Sequence, residues 1–410
     1  MVGAETTQLT GARRRRIWRR GIGFALYCAV VVLVLIEVAV RILSDESDGQ
    51  IAVRGLKLVP LAPVSQAHRR ILETDTGELP YVIPDRELGW TIRPNGHTGD
   101  GLFASNELGL RSAPAPIAAK LDGKTRVLLV GDSYTHGDEV RWRDTWAHRL
   151  SEELGDKYEI LNGGVGGYGT DQAVLRARRL SPRLKPDVVV LGIYIQDLLR
   201  NLTVFRSVKH PWTHYPWSKP RFVIDDKDPS GLRLINFPVT PWPPGKVIEV
   251  LEDYDSHPEL QRNDRLWDRA LHRDSWTYSS RLWRWITSRK IHRDRHEDRQ
   301  QLLRDRNEGV VVAARIARLF QVETTAAGAR PVIALFPGPD GLPGYADGKH
   351  PPLRYLHAEL QRMGVKYTDV GRAMLDRLAP HEDARALYLT SHPTPRANRI
   401  IATTLAPHIR

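Results

Sequence analysis

The sequence predicts an α/β fold: a three-layer α/β/α sandwich around a mostly parallel five-stranded sheet, with an N-terminal transmembrane helix and an inserted Trp- and Arg-rich segment. Three observations lead there. Short apolar runs that stop at turn residues alternate with segments of helical period, the pattern of a sheet covered on both faces. A longer apolar run near the N-terminus reaches bilayer length. The alternation then breaks once, between about residues 203 and 305. At 410 residues the chain holds one large domain or two. The expected division is a basic tail and anchor over 1–43, a tether and extension over 44–112, and the main domain over 113–410, with the insertion inside it.

The apolar run Ile22 to Ile36 is extended by Val38 to Val40 and Ile42-Leu43, and spans a bilayer if Glu37 and Arg41 lie near its far interface. Those two residues are four apart and can pair on one helix face. Arg13 to Arg16, Arg19 and Arg20 precede the run, whereas Asp45, Glu46 and Asp48 follow it. The positive-inside rule therefore places the N-terminus in the cytoplasm and the main domain outside, on a single-pass inner-membrane anchor. A cleaved signal peptide is the competing reading, but no convincing small-x-small cleavage site follows Ile36. Cys28, the single cysteine, lies inside this run and excludes an intramolecular disulfide framework. Of the formal charge of +12, residues 1–43 hold +5, from seven arginines against Glu5 and Glu37, leaving +7 for the remainder. Spread over a large extracytoplasmic domain, that surplus suits anionic envelope polymers or lipid headgroups better than nucleic acid, and is compatible with no charged partner.

Residues 44 to about 80 are weakly periodic and read as a tether. Leu88 to Pro94 and Ser105 to Arg111 are short strand-like pieces broken by Gly and Asn turns, expected to pack on the main domain. The main-domain strands are expected at Arg126 to Val130, Tyr158 to Leu161, Asp187 to Gly192, Pro331 to Phe336 and Val365 to Asp369. Helical patterns fall between them at Thr145 to Leu154, Thr170 to Leu180, Val310 to Ala327 and Tyr355 to Met363.

The insertion begins rich in Pro and Trp (Trp212, Trp217, Trp242, Pro243-Pro244) and becomes dense in Arg, Asp and His around Trp283 to Arg306. Its aromatic rings suit a lid or platform for sugar or acyl faces, or else fill a small core of the flap itself. His272, His292 and His296 stand among arginines that repel a dication, so a solvated charged helix is expected there rather than a metal site.

Acyl transfer by a serine needs a base, a group to orient that base, and donors aimed at the developing oxyanion. Open α/β sheets place such groups beyond the carboxyl ends of their strands. The first strand ends in Gly131-Asp132-Ser133, which is either an ordinary turn or a nucleophile at the mouth of a site. The second ends in Asn162 to Thr170, a run of glycines that leaves backbone N–H groups uncovered, Gly167 among them. The third ends with Gln196-Asp197, whose amide can point inward. Near the C-terminus His392 precedes a helix that Thr394 caps and Pro395 begins. Asp132 reads as a turn-stabilising acceptor, because the neighbour of a strand-end serine tends to point away from it.

In this order, strand-Ser, strand-Gly, strand-amide and late His, the chain resembles the SGNH (GDSL-like) hydrolase superfamily, and more closely its membrane-anchored bacterial members. The resemblance covers roughly residues 80–202 and 310–410 and implies the SGNH, flavodoxin-like arrangement of the sheet. It implies Ser133 as nucleophile and His392 as base. The oxyanion would be held by the N–H groups of Ser133 and Gly167 with the Gln196 amide. The Leu88-Gly-Trp and Asn106 to Arg111 pieces also look like segments that precede the nucleophile in anchored relatives. Two positions depart from the family. Gln196 stands where an Asn is usual, adding a methylene that can misplace the donor. The family's acid lies two or three residues before the histidine, where this chain has Thr390 and Leu389. Either a backbone carbonyl orients His392, or an acid such as Asp383 or Asp369 reaches in, or the site no longer catalyses; loss of the orienting acid costs on the order of ten-thousandfold in a triad enzyme.

The expected function is serine ester hydrolysis through an acyl-enzyme, on O-acyl groups of envelope glycans or on lipid esters. Transfer of the acyl group to a cell-surface polysaccharide hydroxyl is the alternative within the same chemistry. A catalytically impaired glycan-binding protein is the alternative from another class. No metal or organic cofactor and no nucleic acid partner is implied.

Overall fold

A computed structural model describes residues 3–47, 49–73, 80–112, 123–209, 213–235, 244–346, 351–379 and 381–410. The chain forms two compact units, Met1–Ala62 with Asp268–Arg295, and Pro63–Trp267 with His296–Arg410.

In the first unit the helix Gly3–Ile42 contains a 25-residue stretch, Trp18–Ile42, of mean hydropathy 2.6, with none of its most apolar window buried. At 1.5 Å per residue such a stretch is long enough to cross a hydrocarbon core of about 30 Å. Near its end Glu37 and Arg41 pair at 2.7 Å, as their spacing predicts. The Glu37 carboxylate also accepts from Ser280 Oγ (2.9 Å) and from the amides of Arg281 (2.9 Å) and Leu282 (2.8 Å). It thereby satisfies donors that the start of the helix Arg281–Leu302 leaves open. Strands β1 (Ser44–Ser47), β2 (Gln50–Val53) and β3 (Leu56–Lys57) form an antiparallel sheet, and Val40, Val53 and Leu58 make a small core. His272 and His292 are engaged by the backbone carbonyls of Leu61 and Lys57. No cluster of three potential metal ligands occurs among the described residues.

In the second unit the helix Gln66–Glu73 precedes an antiparallel hairpin, β4 (Val82–Asp85) and β5 (Gly89–Ile92). Its sheet comprises β6 (Thr125–Val130), β7 (Tyr158–Asn162), β8 (Val188–Tyr194), β11 (Arg330–Phe336) and β12 (Thr368–Asp369); β9 (Arg221–Ile224) and β10 (Leu232–Ile235) form a separate hairpin. The order β12-β11-β8-β6-β7 is parallel throughout. Counting only sheet strands this is 2-1-3-4-5, the flavodoxin-like order, with its switch point between β6 and β8.

The path from β6 to β7 runs one way across the sheet and the path from β7 to β8 runs back. Right-handed crossovers then place the intervening helices on opposite faces. Accordingly Trp146–Leu154 packs with the C-terminal helix Pro395–Ile409, and Thr170–Leu184 packs with Glu308–Ala326. Every residue of β8 is buried, as a strand covered on both faces requires.

Within the segment 203–305, Trp217 is buried and joins the main hydrophobic core, whereas Trp212, Trp242 and Pro243 lie outside the described residues. The segment divides between the units at Trp267 and again at Arg295.

Candidate active site

β6 ends at Val130, and Ser133 starts the short helix Ser133–His136. Asp132 caps it, accepting from Tyr134 N at 2.9 Å, and Gly137 closes it in the left-handed region at φ 83°. The turn demands glycine at 131, where a Cβ would collide with Thr135 and stand 3.0 Å from the Gly192 carbonyl. Asp132 is fully buried and receives Arg200 Nη1 at 2.7 Å; the same nitrogen reaches Asp197 at 2.8 Å and the Tyr168 carbonyl at 3.0 Å. Ser133 Oγ is a long 3.4 Å from Asp132 Oδ2. Asp132 thus holds the turn and a buried cation, as a turn acceptor should.

The loop after β7 is fixed by the β4–β5 hairpin. The fully buried Trp90 donates its indole N–H to the Gly166 carbonyl (3.0 Å), and Tyr168 donates its hydroxyl to the Trp90 carbonyl (2.7 Å). Gly167 sits at φ 80°, and a Cβ there would lie 2.5 Å from the Tyr215 ring. Tyr215 in turn stacks on Trp90, centroids 5.1 Å apart and planes within 8°. Neither the Ser133 nor the Gly167 amide has a hydrogen-bond acceptor among the described residues, so both N–H groups are open to a ligand. Gln196 follows β8, is exposed, and precedes the helix Asp197–Arg200.

His392 lies in a tight turn closed by Leu389 N to His392 O (2.8 Å) and Thr394 N to Leu387 O (2.9 Å). Thr394 then caps the helix Pro395–Ile409, with Pro395 in its first turn. Tyr134 donates its hydroxyl to the Ser391 carbonyl at 2.9 Å, tying the helix Ser133–His136 to this turn. Ser133, Gly167, Gln196 and His392 all line one cavity of about 390 Å³, beyond the carboxyl ends of β6, β7 and β8. A larger groove of about 710 Å³ lies by the amino ends of β8 and β11, at Asp187 and Ala329, away from these four residues.

The residue that sequence reasoning missed is Glu139. Its Oε1 is 2.9 Å from His392 Nδ1, and its Oε2 accepts from the Thr390 amide at 2.9 Å. The expected substitutes do other work: Asp383 caps the turn Ala384–Leu387 and Asp369 caps the helix Val370–Leu375. Nor does a backbone carbonyl take Nδ1, which the carboxylate occupies. Burial alone would raise the Glu139 carboxyl; the hydrogen bond and charge of His392, with the Ser391 and Thr390 amides, outweigh it and hold the group below the usual carboxylate range. With Nδ1 engaged, Nε2 is the ring nitrogen free to meet a hydroxyl.

The Glu139 loop is itself anchored. Buried Arg111 donates from Nη1 to the Gly137 carbonyl (2.6 Å) and from Nη2 to the Val140 carbonyl (2.6 Å), bracketing Glu139, whose own φ is 67°. Asp138 accepts a hydrogen bond from His136 Nδ1, while His136 Nε2 meets the Tyr81 hydroxyl at 3.0 Å. Burial and Arg111 push the His136 imidazole down, so it serves as a neutral partner. The sequence signal for Glu139 is two consecutive acids, Asp138-Glu139, shortly after the Gly131-Asp132-Ser133 turn.

Solved structures similar to the chain include TesA (14% identity, covering 70% of this chain and 98% of that one, TM-score 0.33). A catalytic mutant of an acetylxylan esterase from Geobacillus stearothermophilus is similar at 12% identity, 71% and 96% coverage and TM-score 0.35. A carbohydrate acetylesterase family member from Sinorhizobium meliloti is similar at 13% identity, 70% and 98% coverage and TM-score 0.30. Among curated proteins the sequence finds no match. Residues 129–400, which run from within β6 through the His392 turn, match the model of the GDSL-like Lipase/Acylhydrolase family, and the chain belongs to that family.

Proposed function

We propose that this protein is a membrane-anchored serine ester hydrolase whose main domain lies outside the cytoplasm. One observation carries the reading: Ser133 and His392 line one cavity, and the Glu139 carboxylate lies on His392 Nδ1. Ser133 Oγ attacks the acyl carbon of the ester while His392 Nε2 takes its proton. The charge on the acyl oxygen is met by the N–H groups of Ser133 and Gly167 and by the Gln196 amide. His392 then protonates the departing alkoxide, leaving an acyl-Ser133 ester. In the second half His392 deprotonates water, which attacks that ester and releases the carboxylic acid and the Ser133 hydroxyl. Glu139 keeps its negative charge throughout and favours the imidazolium that forms twice per turnover.

Anchoring is supported by the length and apolarity of Trp18–Ile42, and orientation by the arginines before it and the acids after it. That placement favours O-acyl groups on envelope glycans, or lipid esters, as substrates. The test is labelling of the detergent-solubilised full chain with a fluorophosphonate. Labelling of the wild type that both Ser133→Ala and His392→Ala abolish is the expected result; a folded wild type that stays unlabelled overturns the reading. With an activated acyl donor, turnover that rises on adding glycan would move the assignment from hydrolysis to O-acyl transfer.

A further inference from the structure

The cavity that holds Ser133 and His392 also holds a cation that forms no ion pair among the described residues. Arg206 lines it, is only 8% exposed, and donates from Nε to Thr213 Oγ1 at 3.1 Å. Its Nη1 is buried and has no partner among the described residues. The guanidinium stands beside the expected oxyanion site, since a Cβ on Gly167 would come within 3.1 Å of Arg206 Nε.

The other buried arginines of this unit are treated differently. Arg200 binds Asp132 and Asp197, Arg126 binds Glu159, and Arg221 binds Glu308. Arg111 and Arg176 are spread over backbone carbonyls. The acids whose charge reaches Arg206, Asp132 and Asp197, are both bound by Arg200. Burial, with Arg200 close by, depresses the Arg206 guanidinium to about 9, the mark of a charge short of a counter-ion. Leaving a buried cation uncompensated is costly, and a guanidinium fork matches the two oxygens of a carboxylate or phosphate.

We propose that Arg206 recognises an anionic group, a carboxylate or a phosphate, carried by the ester substrate close to its scissile carbonyl. The inference rests on the ester-hydrolase reading and narrows it to acidic esters, such as acylated uronate-type sugars or phosphate-bearing esters. A neutral acylated glycan would leave Arg206 unpaired in the bound state.

The test separates this subsite from catalysis by measuring binding to the full chain in detergent micelles, with Ser133→Ala to prevent turnover. Glucuronate, glucose 6-phosphate and glucose share a ring and differ in charge, so ligand-observed NMR with the three probes reads the anion directly. At least one acidic sugar is expected to bind tenfold or more tightly than glucose, and which one does so identifies carboxylate or phosphate as the source. Adding Arg206→Gln should erase that preference. Arg206→Lys, which keeps the charge and loses the fork, should retain part of it and serves if the Gln variant fails to fold. Equal affinity for all three sugars, or a preference that survives Arg206→Gln, overturns the proposal. Failure of the wild type to label with fluorophosphonate while the anion preference holds would remove the hydrolase reading and leave the subsite standing.

Discussion

Glu139 Oε1 lies 2.9 Å from His392 Nδ1 although the two residues are 253 positions apart. The carboxylate comes from the loop that follows the short helix Ser133–His136, so one short stretch of chain delivers both Ser133 and the carboxylate that meets His392. Arg111 holds that loop by the carbonyls on either side of Glu139. The hairpin extension and the turn before the C-terminal helix are thereby joined through the site.

Replacing Glu139 by Gln keeps the shape but lets the amide present either oxygen or nitrogen to Nδ1 and removes the charge that favours the imidazolium. By analogy with loss of a triad acid, kcat is expected to fall about 10²- to 10⁴-fold with little change in Tm. Glu139→Asp, one methylene shorter, should recover only part of the loss. Steady-state hydrolysis of a p-nitrophenyl ester checks this, and near-wild-type turnover by Glu139→Gln would show that the acid is not used.

The depressed Glu139 carboxyl also predicts a pH effect on stability. A carboxyl whose folded pKa lies below its unfolded value, about 4.3, contributes stability that is fully present above the unfolded value and lost as pH falls through the folded one. The Tm difference between wild type and Glu139→Gln should therefore be full at about pH 5.5 and shrink below about pH 4. Because Glu139 is partly solvent-exposed, its contribution to folding stability should stay below about 1 kcal/mol. A gap that widens on acidification contradicts the assignment.

Gly167→Ala tests the glycine loop. The new Cβ meets a positive φ, worth about 1–2 kcal/mol against an L-residue, and the Tyr215 ring, which cannot retreat because it is stacked on buried Trp90. The loop must shift and carry its N–H with it, so kcat/KM should drop at least about tenfold, toward the 10²–10³ range of a lost oxyanion donor. Hydrolysis rates beside a thermal melt distinguish this from general unfolding, and an unaffected kcat would dismiss Gly167 as a donor.

The sheet was legible because strands buried on both faces are continuous apolar runs. β6 and β7 fall within a residue of the runs at Arg126 to Val130 and Tyr158 to Leu161. The edge strand β12 pairs over only Thr368–Asp369, shorter than the Val365 to Asp369 run, because two residues suffice where one neighbour is present. Ser133, Gly167, Gln196 and His392 could be named because strand ends and a capped helix fix their places along the chain. Glu139 could not, because a loop carboxylate acquires its partner only through tertiary closure and has no periodicity to announce it. The same holds for Arg206 and Tyr215, in a segment rich in aromatics whose reading as platform or small core left individual residues unassigned. Arg111 was legible as part of a packed piece, but not as the clamp on the Glu139 loop.

Beside Ser133 in the chain, Asp132 shares Arg200 as counter-ion with Asp197, and all three are buried. Burial and the neighbouring Asp132 push the Asp197 carboxyl well up, while Asp197 and Asp132 outweigh burial in keeping Arg200 charged. Arg200→Met fills similar space but strands two carboxylates in the core, at a cost of about 3–5 kcal/mol for a broken buried ion pair. The loss should grow with rising pH, since the orphaned acids are tolerated only when protonated. Converting all three together, Arg200→Met with Asp132→Asn and Asp197→Asn, removes the stranded charges and should restore part of that stability. Urea melts of the single and triple variants at pH 5 and pH 8 decide the point: if the triple variant is no more stable than Arg200→Met alone, the destabilisation arises from packing rather than from unpaired charge.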